Sequence, residues 1–190
     1  MMNLIDKINL ERVPNYLTIF RVLCIPIIII NIIPQSFFFN WVAVLLYIIA
    51  CVSDFLDGYL ARKFKVESKL GKFLDPIADK ILIISVLFIL VAIGKINGFF
   101  VYPALIIIIR EVLVSGLREF FAESKISINV SKIAKWKTLI QMFTLGFLII
   151  GNDFTLLPNT MLVGEIGLLI ASLITIYTGY EYFKLHYKSF

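Results

Sequence analysis

Apolar positions along the chain gather into six runs, Leu17 to Ile33, Phe37 to Val52, Ile81 to Ile93, Phe99 to Ile109, Leu139 to Ile150 and Met161 to Tyr177. Their recurrence from end to end, with no Pro/Gly/Ser-rich linker between them, predicts an all-α membrane protein of six transmembrane helices in a single domain, residues 1–190. Several runs fall short of the ~20 residues a spanning helix needs, so those helices are expected to continue into polar sequence at one end. The polar extensions are where chemistry should be sought. Residues Met1 to Arg12 form a short, mixed, amphipathic segment ahead of the first run. That segment lacks an early apolar core followed by a small-residue cleavage site, so no cleavable signal peptide is expected.

Composition agrees with lipid as the solvent: 60% of the 190 residues are hydrophobic, 16% are charged, and the mean hydropathy is +0.94. The net charge of +5 would suit nucleic acid, but the basic residues sit between the apolar runs, where they set topology and meet anionic headgroups instead. Lys7 and Arg12 precede the first run; Arg62, Lys63, Lys65, Lys69 and Lys72 follow the second; Arg118 to Lys137 holds five more, and Lys184 and Lys188 lie in the tail. The alternate connections carry Lys95 alone or no Lys or Arg at all. By the positive-inside rule both termini are expected in the cytoplasm, in agreement with an even span count. Cys24 and Cys51 lie in apolar runs without metal-ligand spacing and read as small buried hydrophobes.

The most informative stretch is D54-F-L-D57-G58-Y-L-A61-R62 followed by G71-K-F-L-D75-P-I-A-D79. Asp54 and Asp57 are three apart and Asp75 and Asp79 four apart, so each pair shares a helix face near the cytoplasmic end of its span. Folding the hairpin back brings the pairs together. A carboxylate at membrane depth costs ~2.5 to 3.5 kcal/mol, and mutual repulsion adds to that, so the four aspartates need cations. Hard divalent ions with oxygen ligands neutralise such a set and keep positions open for substrate phosphates, which makes phosphoryl chemistry the natural reading. Solvated loop charges would account for one pair, hardly for both. Gly58 suits a ligand passing close to the backbone, or a helix-packing contact. Arg62, on the same side as Asp54 and Gly58, can grip a phosphate oxygen or serve as a plain topology residue.

At these residues the sequence closely resembles the CDP-alcohol phosphatidyltransferase family, whose signature is D-x2-D-G-x2-A-R-x8-G-x3-D-x3-D. Asp54, Asp57, Gly58, Ala61, Arg62, Gly71, Asp75 and Asp79 fill every position. The resemblance implies attack of an acceptor hydroxyl on the phosphorus bearing diacylglycerol in a CDP-linked lipid, with CMP leaving. It implies two divalent ions, Mg2+ or Mn2+, held by Asp54, Asp57, Asp75 and Asp79, with Asp79 also the general base. Gly58, Arg62 and Ser68 would contact the CDP portion. It further implies a homodimer in the bacterial cell membrane.

Two flanking segments narrow the resemblance. The run P14-N15-Y-L-T18-I-F-R21 is similar to the start of bacterial members that make phosphatidylglycerophosphate, and its Asn15, Thr18 and Arg21 project from an otherwise apolar helix. Asn15 and Thr18 can equally be helix-start residues. An arginine inside a span wants an anion or a water-filled cavity, so Arg21 is expected near the cytidine diphosphate. The second segment runs from Arg110-Glu111 through Arg118-Glu119 to Lys135-Trp136-Lys137. Arg110, Arg118 and Lys135 are expected to form a basic cluster for an acceptor carrying its own phosphate, such as sn-glycerol 3-phosphate. Lys132, Lys135 and Lys137 are also ordinary topology residues, and Glu111 or Glu119 can simply pair with neighbouring arginines. The lone His186 lies in the tail and is assigned nothing.

Inositol phosphate or phosphatidylglycerol as acceptor would use the same aspartate hairpin, and inositol phosphate would also suit the basic cluster. From another class, a divalent cation transporter would explain intramembrane carboxylates, but it has no need of Gly58, Arg62 or the basic cluster.

Overall fold

A computed structural model of the chain describes residues 4–64, 69–123, 132–153 and 159–186. Among the described residues the protein is all-helical, with α1 Leu4–Ile32, α2 Phe37–Phe64, α3 Lys69–Ala92, α4 Val101–Glu123, α5 Lys132–Ile150 and α6 Thr160–His186. Six helices match the six apolar runs. The amphipathic start is not a separate element, since α1 runs unbroken from Leu4 into the first apolar run. The expected polar extensions are present: α2 continues past Val52 through the first aspartate pair, and α3 begins at Lys69, ahead of the second.

By length and composition, Phe37–Tyr59, Gly98–Phe121 and Thr160–Lys184 suffice to cross a membrane, while Tyr16–Ile32 and Trp136–Ile150 are shorter apolar stretches. Large apolar side chains face outward on many turns; Phe55, Phe88 and Phe143 are each more than two-thirds exposed. Water would penalise such a surface and hydrocarbon does not, so the chain is an integral membrane protein.

The chain divides into two compact units, residues 1–89 and 90–190. In the first, α1 and α2 pack as a hairpin whose short turn takes Gln35 to a φ of 50°. Ile25, Ile28 and Ile32 on α1 and Ala43, Val44, Tyr47 and Ala50 on α2 are buried, and the small Ala43 and Ala50 let a neighbouring helix approach closely. Ala78, Leu82, Val86 and Leu87 give α3 a buried face as well.

In the second unit α6 packs against both α4 and α5. Glycine sets the α5–α6 distance: a Cβ added at Gly164 would lie 2.7 Å from the Leu148 side chain, and one at Gly167 would lie 2.5 Å from Thr144 Oγ1. At one end of this pair Lys95 Nζ donates to the Ile149 carbonyl at 2.5 Å and Thr160 Oγ1 donates to the Gly151 carbonyl, satisfying acceptors that the end of α5 leaves unpaired.

Candidate active site

Helical spacing turns each motif pair to one side of its helix, and α1 supplies the residues that meet them. Thr18 and Arg21, three apart on α1, are completely buried. Arg21 Nη1 lies 2.8 Å from Asp54 and 2.6 Å from Asp79, and Nη2 pairs with Asp57. Thr18 Oγ1 donates to Asp75 at 2.5 Å. The hairpin therefore folds back as its sequence predicts, because one guanidinium nitrogen reaches both an α2 and an α3 carboxylate. An arginine with three carboxylate partners is fully compensated in a way that an isolated intramembrane charge is not.

The carboxylates differ in access. The Asp57 side chain is 3% exposed, Asp54 27% and Asp79 43%. Asp57 can only act from within the cluster, whereas Asp79 is open to an incoming molecule. Gly58, half-buried, follows Asp57 directly on α2. Ser68 lies outside the described residues, as do the side chains of Asn15, Arg62 and Lys135. Thr18 and Arg21 were expected at the nucleotide; here both turn to aspartates.

In the second unit, polar side chains line the contacts among α4, α5 and α6. Lys137 and Glu111, both buried, form an ion pair from α5 to α4. Arg110 Nη1 stands 3.7 Å from the same Glu111 carboxylate, and Nη2 donates to Thr178 on α6 at 3.1 Å. The Arg110 stem runs over Gly179, where an added Cβ would come within 3.3 Å of its Cγ. Gln141 Nε2 donates to Thr175 at 3.3 Å. Arg118, two turns beyond Arg110 on α4, is exposed. Lys137, an ordinary topology lysine by sequence, is instead a buried member of this cluster. A signal for it existed: Lys137, Gln141 and Thr144 recur four and three apart on α5, and all three are buried.

The family resemblance implies divalent metal at the aspartates, and the donor set is of the right kind. All four side chains offer hard oxygen ligands, and three converge on one cation. Among the described residues no group of acidic, histidine or cysteine side chains is already arranged as a coordination shell. The cation encircled is the Arg21 guanidinium.

Four aspartates brought together from the ends of α2 and α3 suit phosphoryl transfer, and the comparison of sequences gives the class. The pattern of the CDP-alcohol phosphatidyltransferase family matches residues 11–177, and the chain belongs to that family. It is thus a transferase, which removes the transporter alternative. The family is generally divalent-metal dependent. Among its relatives is a Rickettsia bellii protein named CDP-diacylglycerol–glycerol-3-phosphate 3-phosphatidyltransferase, 46% identical over 180 residues, covering 95% of this chain and 98% of the relative. Proteins of the same name from Haemophilus influenzae and Yersinia pestis are 39% and 34% identical over 177 and 173 residues, covering 92% and 90% of this chain and 92% of each relative.

Proposed function

We propose that this chain transfers the phosphatidyl group of CDP-diacylglycerol to sn-glycerol 3-phosphate, giving phosphatidylglycerophosphate and CMP. The observation that carries the reading is the gathering of Asp54, Asp57 and Asp79 at one guanidinium with Asp75 held by Thr18, on helices whose sequence fills every position of the family signature. The names of relatives matched along nine-tenths of the chain support the choice of acceptor.

In this reading Asp54, Asp57, Asp75 and Asp79 hold two divalent ions, Mg2+ or Mn2+. Bound there, the ions supply charge neutralisation for the diphosphate and the departing CMP. Asp79, the most open of the carboxylates measured, takes the proton from the acceptor hydroxyl. The hydroxyl oxygen forms a bond to the phosphorus bearing diacylglycerol, the bond from that phosphorus to the bridging oxygen breaks, and CMP leaves with the electron pair. Asn15, Thr18, Arg21, Gly58, Arg62 and Ser68 serve the CDP-diacylglycerol side. Arg110, Arg118 and Lys135 serve the glycerol 3-phosphate side, where a phosphorylated acceptor needs cations. Six membrane crossings with both termini in the cytoplasm, one membrane domain spanning residues 1–190, and a homodimer complete the proposal; the family match across 11–177, which runs through both compact units, supports the single domain.

The test is CMP release by purified protein given CDP-diacylglycerol and Mg2+ with glycerol 3-phosphate, inositol phosphate or phosphatidylglycerol, each with and without EDTA. The expected result is release with glycerol 3-phosphate alone, abolished by EDTA and restored by excess Mg2+. Release with another acceptor replaces the substrate, and release that survives EDTA removes the metal from the mechanism.

A further inference from the structure

Two arginines of the proposed acceptor site lie on α4, but side chains of α6 hold them. Thr178 and Gly179 stand four and three residues before Tyr182, so the three share one face of α6. Arg110 Nη2 donates to Thr178 Oγ1 at 3.1 Å, and that hydroxyl turns back to the Ile174 and Thr175 carbonyls of its own helix at 2.9 and 3.2 Å. With its proton committed there, Thr178 meets Arg110 as an acceptor only. Gly179 leaves room for the arginine stem, since an added Cβ would stand 3.3 Å from Cγ and 3.6 Å from Nε. The Tyr182 ring is buried among Val114, Leu117 and Phe121 of α4, and its hydroxyl lies beside the Arg118 side chain.

These contacts redirect the two arginines. Eight positions separate Arg110 from Arg118, ~12 Å along a helix axis, whereas four separate Thr178 from Tyr182, ~6 Å. Side chains far apart on their own helix are thus drawn toward a common point beside α6. We propose that the Thr178, Gly179 and Tyr182 face of α6 positions Arg110 and Arg118 for a single phosphate group on the acceptor, and so sets the preference for a phosphorylated alcohol over a neutral one. The inference rests on the proposed function, because it takes the two arginines as the acceptor's partners. Thr178 takes one of the five guanidinium donors of Arg110, and Glu111, held by Lys137, stands 3.7 Å from Nη1, beyond hydrogen-bonding reach. Donors therefore remain for phosphate oxygens. The three α6 residues are positioning residues, none of which needs to touch the acceptor. Side chains already held in place lose less freedom when the phosphate arrives, so the benefit falls on acceptor binding and not on the chemical step.

The experiment compares wild type with Thr178→Val, Thr178→Ser, Gly179→Ala and Tyr182→Phe in detergent. KM for glycerol 3-phosphate, KM for CDP-diacylglycerol and kcat are measured by CMP release, and the thermal midpoint beside them. Methyl phosphate, which carries a phosphate but no alcohol hydroxyl to attack, is the second probe, read as a competitive inhibitor. Thr178→Val and Tyr182→Phe should each raise the acceptor KM and the methyl phosphate inhibition constant about fivefold, the worth of one hydrogen bond, with kcat and the lipid KM within about twofold. Thr178→Ser keeps the hydroxyl and should stay near wild type. Gly179→Ala separates positioning from stability: alanine is the better helix former, so the midpoint should hold or rise while the acceptor KM rises. An acceptor KM unchanged in Thr178→Val, Gly179→Ala and Tyr182→Phe would overturn the proposal. Losses shared equally by both substrates, or following the midpoint alone, would do the same by reducing the α6 face to packing. Wild-type protein indifferent to glycerol 3-phosphate and uninhibited by methyl phosphate would instead strike the phosphorylated acceptor of the proposed function, and the positioning with it.

Discussion

The hydroxyl of Thr18 lies 2.5 Å from a carboxylate oxygen of Asp75, tying the first helix to the third across 57 positions of sequence. This contact completes what Arg21 does for the other three aspartates. Thr18→Val keeps the shape and removes the donor. The variant is expected to lose about 1 kcal/mol of stability, the usual net worth of a hydrogen bond to a half-buried acceptor, and to show lower CMP release at limiting Mg2+. Thermal unfolding in detergent and a Mg2+ titration of activity measure both. Wild-type behaviour in each would reduce the contact to a packing accident.

Asp79 combines membership of the cluster with 43% exposure of its side chain. Asp79→Asn should lower CMP release by about 10²–10⁴-fold, the usual contribution of a general base, while CDP-diacylglycerol binding is largely kept by the remaining three aspartates. Parallel loss of binding and turnover would make Asp79 a ligand first and a base second.

Lys137 and Glu111 pair within the second unit, both out of solvent. Removing one partner strands a buried charge, so Lys137→Met is expected to destabilise the protein by about 3–5 kcal/mol, with the nearby Arg110 softening the loss. The double variant Lys137→Met/Glu111→Gln should recover much of it. A double-mutant cycle on thermal midpoints settles the matter; purely additive effects would mean that the pair carries no coupling.

Arg118 is exposed on α4, beside the Tyr182 hydroxyl on α6. Arg118→Ala should raise the Michaelis constant for glycerol 3-phosphate roughly tenfold and leave kcat within about twofold, as expected for a contact remote from the reacting hydroxyl. An unchanged acceptor response would take Arg118 out of that site.

The helices and the aspartate hairpin were legible because both depend on short-range spacing. Three- and four-residue intervals place Asp54 beside Asp57 and Asp75 beside Asp79 whatever the rest of the chain does. Arg21 was legible as an intramembrane cation in need of anions, but its partners lie 33 to 58 positions away, and periodicity on α1 says nothing about which helix stands opposite. Phosphate and carboxylate are equally good answers to a lone arginine. Lys137 was misjudged for a related reason. The rule that reads topology counts charges at helix ends and is blind to rotation about the axis. The exposed Trp136 and buried Lys137 are adjacent in sequence and face different surroundings.

Gly164 and Gly167 hold α5 and α6 so close that a methyl group would collide with Leu148 or Thr144. Helices at such a separation cannot slide along each other without lifting a side chain over a backbone. A bilayer thicker or thinner than the apolar stretch of α6 is therefore met by tilting the two helices together as one rod, with the mismatch absorbed at the lipid boundary instead of between them.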